Sequence, residues 1–269
     1  MPIRLIAVDM DGTFLDDRKE YDRNLFLSQY NEMKRKGIKF AVASGNQYYQ
    51  LISFFPEIKD EIAFVAENGA YIVDSGKEIF CGELEKASAD KVIKVLESFE
   101  GINFVICGKQ SAYVKSTVSD NFISSIRHYY HKLMIVEDLY AIEDRIFKLC
   151  ASVPKHQAFE YVREYEKLVG GMVTPVSSGS GFIDFIIPGL HKANGIGLLQ
   201  SLWNIGMDET AAFGDGSNDL EMLKSAKYSF AMENGQEIVK SSAQFIAPSN
   251  NNKGVLKTID EILKGKYNE

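Results

Sequence analysis

Leu5-Ile6-Ala7-Val8-Asp9-Met10-Asp11-Gly12-Thr13 carries the strongest signal in the chain. Its first half is a short, uninterrupted aliphatic run, the composition of a strand buried on both faces of a parallel sheet. Its second half places two carboxylates one residue apart, then a glycine and a hydroxyl, at the carboxyl end of that strand. Open α/β sheets bind their ligands at this end. Two acids so close resist ionising together unless a cation neutralises one or each has its own task. A strand with only a packing role has no use for such an ending. The segment predicts a chemical site.

Outward from it, strand and helix alternate. Residues 22–36 carry Leu25, Phe26, Tyr30 and Met33 at helical spacing, with Gly37 as the stop. Ile38–Ala43 reads as a second apolar strand ending at Ser44-Gly45-Asn46. A helix over 47–55 leads to a third, Ile62–Ala66, ending at Glu67-Asn68-Gly69. This order predicts a parallel sheet with right-handed crossovers and all strand ends on one edge. Tyr71-Ile72-Val73 and Glu78-Ile79-Phe80 around Asp74-Ser75-Gly76-Lys77 read as a hairpin.

Residues 84–187 then change character. Ser88 is expected to cap a helix closed by Gly101, and Phe104–Cys107 with Ala112–Val114 to form a hairpin. A helix over 119–131, strands over 133–136 and 146–152, a helix over 155–168 and the alternating strand Phe182–Ile187 follow. From 192 the first pattern resumes, with a helix bearing Ile196, Leu198, Leu199 and Leu202 and a strand Ala211–Phe213 ending at Gly214-Asp215. Helix 218–224 and strand 228–232 come next. The expected fold is α/β: a doubly wound parallel-sheet core from 1–83 and 188–269, with an inserted α+β domain over 84–187.

At 269 residues, one large domain or two unequal ones is expected. The net charge of −7 and the lack of a Lys/Arg block exclude nucleic acid and anionic membrane as partners. The apolar amino-terminal stretch is too short for a signal peptide, and no segment is long enough to cross a bilayer. Cys81, Cys107 and Cys150 are odd in number and unpatterned, which fits buried thiols in a reducing cytoplasm.

Four strand ends hold the candidates: Asp9 with Asp11, Ser44, Lys192, and Gly214-Asp215-Gly216-Ser217-Asn218-Asp219. Singly, each has an ordinary reading as a turn, a solvated lysine or a helix cap at Ser217. A doubly wound fold brings them to one crevice. Lys192 also sits near a helix start, where its charge opposes the dipole and points to a nearby anion. In order and strand context, Asp9-x-Asp11-Gly-Thr, Ser44, Lys192 and Gly-Asp215-x-x-Asn218-Asp219 resemble the four motifs of the haloacid-dehalogenase-like (HAD) phosphohydrolases. The insertion, together with Glu67-Asn68-Gly69-Ala70, resembles the Cof-type branch with a large α/β cap. Ser44–Pro56 and Ile186–Gly195 are similar to bacterial sugar-phosphate phosphatases of that branch. The resemblance spans essentially the whole chain.

That resemblance implies a HAD-like Rossmannoid core and a Mg²⁺-dependent phosphatase of small phosphate esters. Asp9 is then the nucleophile and Asp11 the general acid and base. The metal ligands are Asp9, the backbone carbonyl of Asp11, and Asp215. Ser44, Lys192, Asn218 and amides near Met10 and Gly45 hold the phosphoryl oxygens, and Asp219 orients Lys192 or the metal's waters. Many relatives carry Arg where this chain has Asn46, which reads as a specificity feature. Two other functions share the core: phosphotransfer between sugars, and a non-catalytic phosphate-sensing module. The chain is expected to be cytoplasmic and a monomer or small homo-oligomer. His191 is an even choice between substrate contact and packing. His128 and His131, three apart in the expected helix, suit a metal but, with no carboxylate pattern nearby, read as a solvated face or aromatic packing, and Tyr48-Tyr49 read as packing of the helix after Ser44 or as the lining of a sugar pocket. Ser177-Ser178-Gly179-Ser180-Gly181 reads as a hairpin loop or a specificity loop.

Overall fold

The structure, a computed structural model, describes residues 2–177 and 181–267. In chain order it begins β1 (Leu5–Val8), α1 (Arg23–Arg35), β2 (Lys39–Ala43), α2 (Tyr48–Phe54), β3 (Ala63–Ala66), β4 (Tyr71–Asp74) and β5 (Lys77–Cys81). The inserted segment holds α3 (Lys86–Glu97), β6 (Asn103–Gly108), β7 (Ala112–Lys115), α4 (Asp120–Ile126), β8 (Leu133–Val136), β9 (Ile146–Ser152), α5 (Ala158–Val169), β10 (Thr174–Ser177) and β11 (Phe182–Ile186). The chain then returns through α6 (Lys192–Trp203), β12 (Thr210–Gly214), α7 (Leu220–Lys224), β13 (Tyr228–Met232), α8 (Glu237–Ser242), β14 (Phe245–Ala247) and α9 (Gly254–Leu263).

The core sheet runs β14-β13-β12-β1-β2-β3-β4-β5. Neighbours from β14 to β3 pair in parallel, while β3–β4 and β4–β5 are antiparallel. The expected hairpin therefore extends the sheet at one edge and makes it mixed. The strand order reverses at β1, flanked by β2 and β12, and a crevice opens at such a switch point. Side chains alternate across β1: Ile6 and Val8 face a layer rich in Phe40, Phe64, Phe213 and Phe230, under α1 and α9. Leu5 and Ala7 face the opposite layer, where Ala41, Ala43, Ala63, Ala212 and Ala231 leave room for α6 to approach closely.

The cap sheet runs β10-β11-β9-β6-β7-β8, with β7–β8 its parallel pair. Leu149, Ala151, Ile183 and Phe185 pack beneath α3 and α5. The alternate positions Lys148, Cys150, Phe182 and Asp184 line a cavity that also includes core residues. Period-two alternation in β9 and β11 thus gives the cap one apolar face and one chemical face.

Two expectations need correcting. Ser88 lies within the first turn of α3, whose cap position is Glu85, and α3 ends at Glu97; Gly101, at φ +76°, closes the turn beyond. Helix α4 stops at Ile126, so His128 and His131 lie past it rather than on one helical face. The chain leaves the helix there as Tyr130 turns into the buried layer beside Cys107, with its hydroxyl 3.7 Å from the thiol. Residues 178–180 of the loop expected at 177–181 lie outside the described residues. Cys81, Cys107 and Cys150 are free thiols, the last two buried.

Gly195 shows how tightly α6 sits on the alanine face: a Cβ there would lie 2.3 Å from Val65 Cγ1. Gly195→Ala should therefore destabilise the protein by about 1–3 kcal/mol through overpacking. Gly197→Ala, in the same helix with no atom within 4 Å of the new Cβ, should be neutral or stabilise by up to about 1 kcal/mol. Thermal or denaturant unfolding of the pair checks this, and equal effects would contradict it.

Candidate active site

Asp9 leaves β1 buried, its amide donating to the Phe213 carbonyl of the neighbouring strand at 3.0 Å. Lys192, the first residue of α6, is 1% exposed, and its Nζ donates at 2.6 Å to both Asp9 Oδ1 and Asp219 Oδ1. The anion that the helix-start position of Lys192 implied is this pair of carboxylates. Asp219 Oδ2 accepts from the amides of Asp215 and Gly216, each at 3.0 Å, which fixes the turn after β12. Thr13 Oγ1 donates to Asp215 Oδ1 at 2.8 Å. Gly12 has φ +78°, and a Cβ there would lie 2.6 Å from Asp215 Oδ2. Glycine is required on both counts, and the first strand end docks on the loop after β12 because of it.

Three acids around one buried lysine, Asp9 and Asp219 buried and Asp215 half-buried, set the electrostatics. Burial pushes the Asp9 carboxyl well above its ordinary range, and Asp219 adds repulsion that Lys192 only partly offsets. Burial, then Asp219, pushes Asp215 up to about 6. Burial opposes the charge on Lys192, but Asp219 and Asp9 outweigh it and raise its pKa. Asp9, Asp215 and Asp219 each offer a carboxylate oxygen, all within 4.8 Å of one another. An excess of buried negative charge with an all-oxygen donor set fits a hard divalent cation such as Mg²⁺. Both oxygens of Asp219 are already engaged, so it fits the orienting role, with Asp9 and Asp215 the better ligands.

A cavity of about 380 Å³ lies over this cluster, between core and cap. Asp9, Asp11, Ser44, Gly45, Asn46, Asp215 and Asn218 line it. Lys192 and Asp219 lie beneath and act through Asp9 and the loop at Asp215. Met10 is in the apolar core, which leaves only its backbone for a ligand. Asn46 Nδ2 donates to Asp11 Oδ2 at 2.6 Å, while Lys19 Nζ pairs with Asp11 Oδ1 at 2.5 Å. Asn46 thus positions the second acid. His191 does not line the cavity. Its carbonyl backs onto Gly69, and its Nδ1 is buried without a hydrogen-bond partner among the described residues, which favours packing. Tyr48 packs on Phe64 and Tyr71, and Tyr49 donates to the Lys109 carbonyl, so both serve the fold. His128 packs against Tyr129 with the two rings tilted at 45°.

Several cavity residues had no motif to announce them: Lys19, Tyr129, Lys148, Lys155 and Asp184 among them. Lys148 and Asp184 carry the one legible signal, a charged residue at an inward position of an otherwise apolar strand. Beside them, buried Glu67 sits at φ +52°, and burial pushes its carboxyl up to about 7, with Lys148 partly offsetting.

A model of haloacid dehalogenase-like hydrolases matches residues 6–259. The chain belongs to that family, and as an enzyme it is a phosphoric monoester hydrolase. It is 48% identical over 264 residues to the Escherichia coli (strain K12) 5-amino-6-(5-phospho-D-ribitylamino)uracil phosphatase YbjI, covering 98% of this chain and 97% of that protein. The Bacillus subtilis (strain 168) protein YwtE, named for the same activity, is 24% identical, covering 98% of this chain and all of that one. The crystal structure of SMU.1108c from Streptococcus mutans UA159 superposes with a TM-score of 0.93 at 34% identity, covering 97% of this chain and 99% of that one. Among the described residues no helix is long and apolar enough to cross a membrane.

Because Asp9 adds repulsion that Lys192 does not fully offset, Asp9→Asn should raise stability in metal-free buffer at neutral pH. The expected gain is roughly 1 kcal/mol, or about 2–4 °C in Tm for a chain of this size. Calorimetry of parent and variant checks it, and a lower Tm for the variant would contradict the charge balance drawn here.

Proposed function

We propose that this chain is a Mg²⁺-dependent phosphatase of small phosphorylated sugars or sugar alcohols, acting through a phosphorylated Asp9. The observation that carries this reading is Asp9 itself, held by Lys192 inside an acidic cluster at the floor of a cap-covered cavity. A carboxylate oxygen of Asp9 attacks phosphorus in line as the bond to the ester oxygen breaks. Asp11, oriented by Asn46 and Lys19, gives its proton to the leaving alkoxide. It then takes a proton from water, whose oxygen attacks phosphorus, releasing phosphate and restoring Asp9. Asp9, Asp215 and the Asp11 carbonyl would hold Mg²⁺, which lets an anionic nucleophile meet an anionic ester. Ser44, the Gly45 amide and Asn218 supply donors to the phosphoryl oxygens, while Lys192 acts from beneath through Asp9.

The substrate class rests on the cavity and the relatives together. Its volume suits a metabolite rather than a polymer. Tyr129, Phe182 and Val176 offer an apolar wall for a planar group, and Asp184, Lys155 and Asn68 offer partners for hydroxyls. The names of the two relatives support a phosphorylated ribityl compound as the first candidate.

A panel holding 5-amino-6-(5-phospho-D-ribitylamino)uracil, hexose and pentose phosphates and p-nitrophenyl phosphate tests this by phosphate release. Turnover should require Mg²⁺ and disappear with a chelator. Asp11→Asn should lower kcat by about 10²–10⁴-fold. Asp9→Ala should be inactive, and parental activity in that variant would refute the mechanism.

A further inference from the structure

Building on the phosphatase reading, we propose that the cap residue Lys148 is a positioning residue for the phosphate-binding loop, fixing the Gly45 carbonyl and through it Ser44. Lys148 is 3% exposed and stands on β9, on the cap face toward the core. Its Nζ donates at 2.7 Å to the carbonyl of Gly45 and at 2.8 Å to Asp184 Oδ2, with Glu67 Oε2 at 3.6 Å. Asn68 Nδ2 donates to the same Asp184 oxygen at 2.7 Å. The ammonium therefore ties one cap strand to a second and to two separate core loops.

The loop it grips carries the phosphate contacts. Ser44 comes immediately before Gly45, and its Oγ accepts from the Asn46 amide at 3.1 Å. Asn46 in turn holds Asp11. The backbone at Ser44 is also braced from below, its carbonyl accepting from the Asn68 amide at 3.0 Å. With Asn68 tied to Asp184, and Asp184 to Lys148, the connections close into a ring from Ser44 through Asn68, Asp184, Lys148 and Gly45 back to Ser44. Cap seating and the geometry of the phosphate loop are one arrangement.

A merely structural ion pair is the competing account. Burying a lysine carries a large desolvation penalty, and apolar replacement of buried pairs is often neutral or stabilising. The core–cap joint already has other ties. Gln47 exchanges two bonds with the Lys132 backbone, at 2.8 and 2.9 Å, and Gln50 reaches the His128 carbonyl at 3.0 Å. What Lys148 adds is a fixed direction for one carbonyl beside the phosphate-binding hydroxyl.

Inorganic phosphate is the probe, since it is small enough to occupy the core end of the cavity without a leaving group. With Mg²⁺ present, Lys148→Met should raise the inhibition constant of phosphate about tenfold or more. It should lower kcat/KM by a similar factor on p-nitrophenyl phosphate and on a sugar phosphate alike. If Lys148→Met does not fold, Lys148→Gln should show the same direction of change. A folded variant with the parental phosphate constant overturns the proposal. So does a loss confined to the sugar phosphate, which would make Lys148 a contact for the leaving group. Absence of turnover in the parent would overturn the phosphatase reading instead, and calorimetric phosphate binding to parent and Lys148→Met would still test the loop.

Discussion

The ammonium of Lys192, gripped at 2.6 Å by Asp9 and by Asp219, is the interaction on which the site depends. One carboxylate comes from the end of β1 and the other from the loop after β12, with the lysine at the start of α6. Each partner is buried, so removing the lysine would leave two carboxylates without their counter-charge in a low-dielectric interior. Asp219 transmits the constraint further by holding the amides of Asp215 and Gly216. The arrangement still leaves more negative charge than one lysine neutralises, and that surplus gives the pocket its appetite for a cation and for an electrophile.

The fold serves this contact through an asymmetry of side-chain size. Phenylalanines fill one layer of the core sheet and alanines the other. On the alanine side α6 descends until Gly195 meets Val65, and that descent seats Lys192 below Asp9. The packing of a helix on a sheet and the placement of the acidic cluster are the same fact. The cap repeats the division with its own sheet, apolar toward α3 and α5 and chemical toward the cavity.

Much of this was legible in the chain. The run from Leu5 to Thr13 announced the central strand and the acids at its end, and strand–helix alternation brought Ser44, Lys192 and Asp215 close to them. Local motifs set those positions, so a local reading finds them. The cap contributions were not legible, because Lys148, Asp184 and Tyr129 become site residues only when sheet register turns them toward the core. Helix ends failed for a related reason: Ile126 terminates α4 because Tyr130 is pulled into tertiary packing, which no cap residue signals. The Arg-to-Asn departure at Asn46 was visible, but its partner, Asp11, emerged only from coordinates. His191, adjacent to Lys192 in sequence, is not among the residues that line the cavity.

The central claim is that Asp9 accepts the phosphoryl group. Quenching the enzyme during turnover with Mg²⁺ and a good substrate, then reducing with borohydride, converts an acyl phosphate to an alcohol. Peptide mass spectrometry should find homoserine at position 9 and aspartate at positions 11, 215 and 219. Homoserine elsewhere, or unmodified Asp9 under conditions where a known aspartyl phosphate is trapped, would contradict the account.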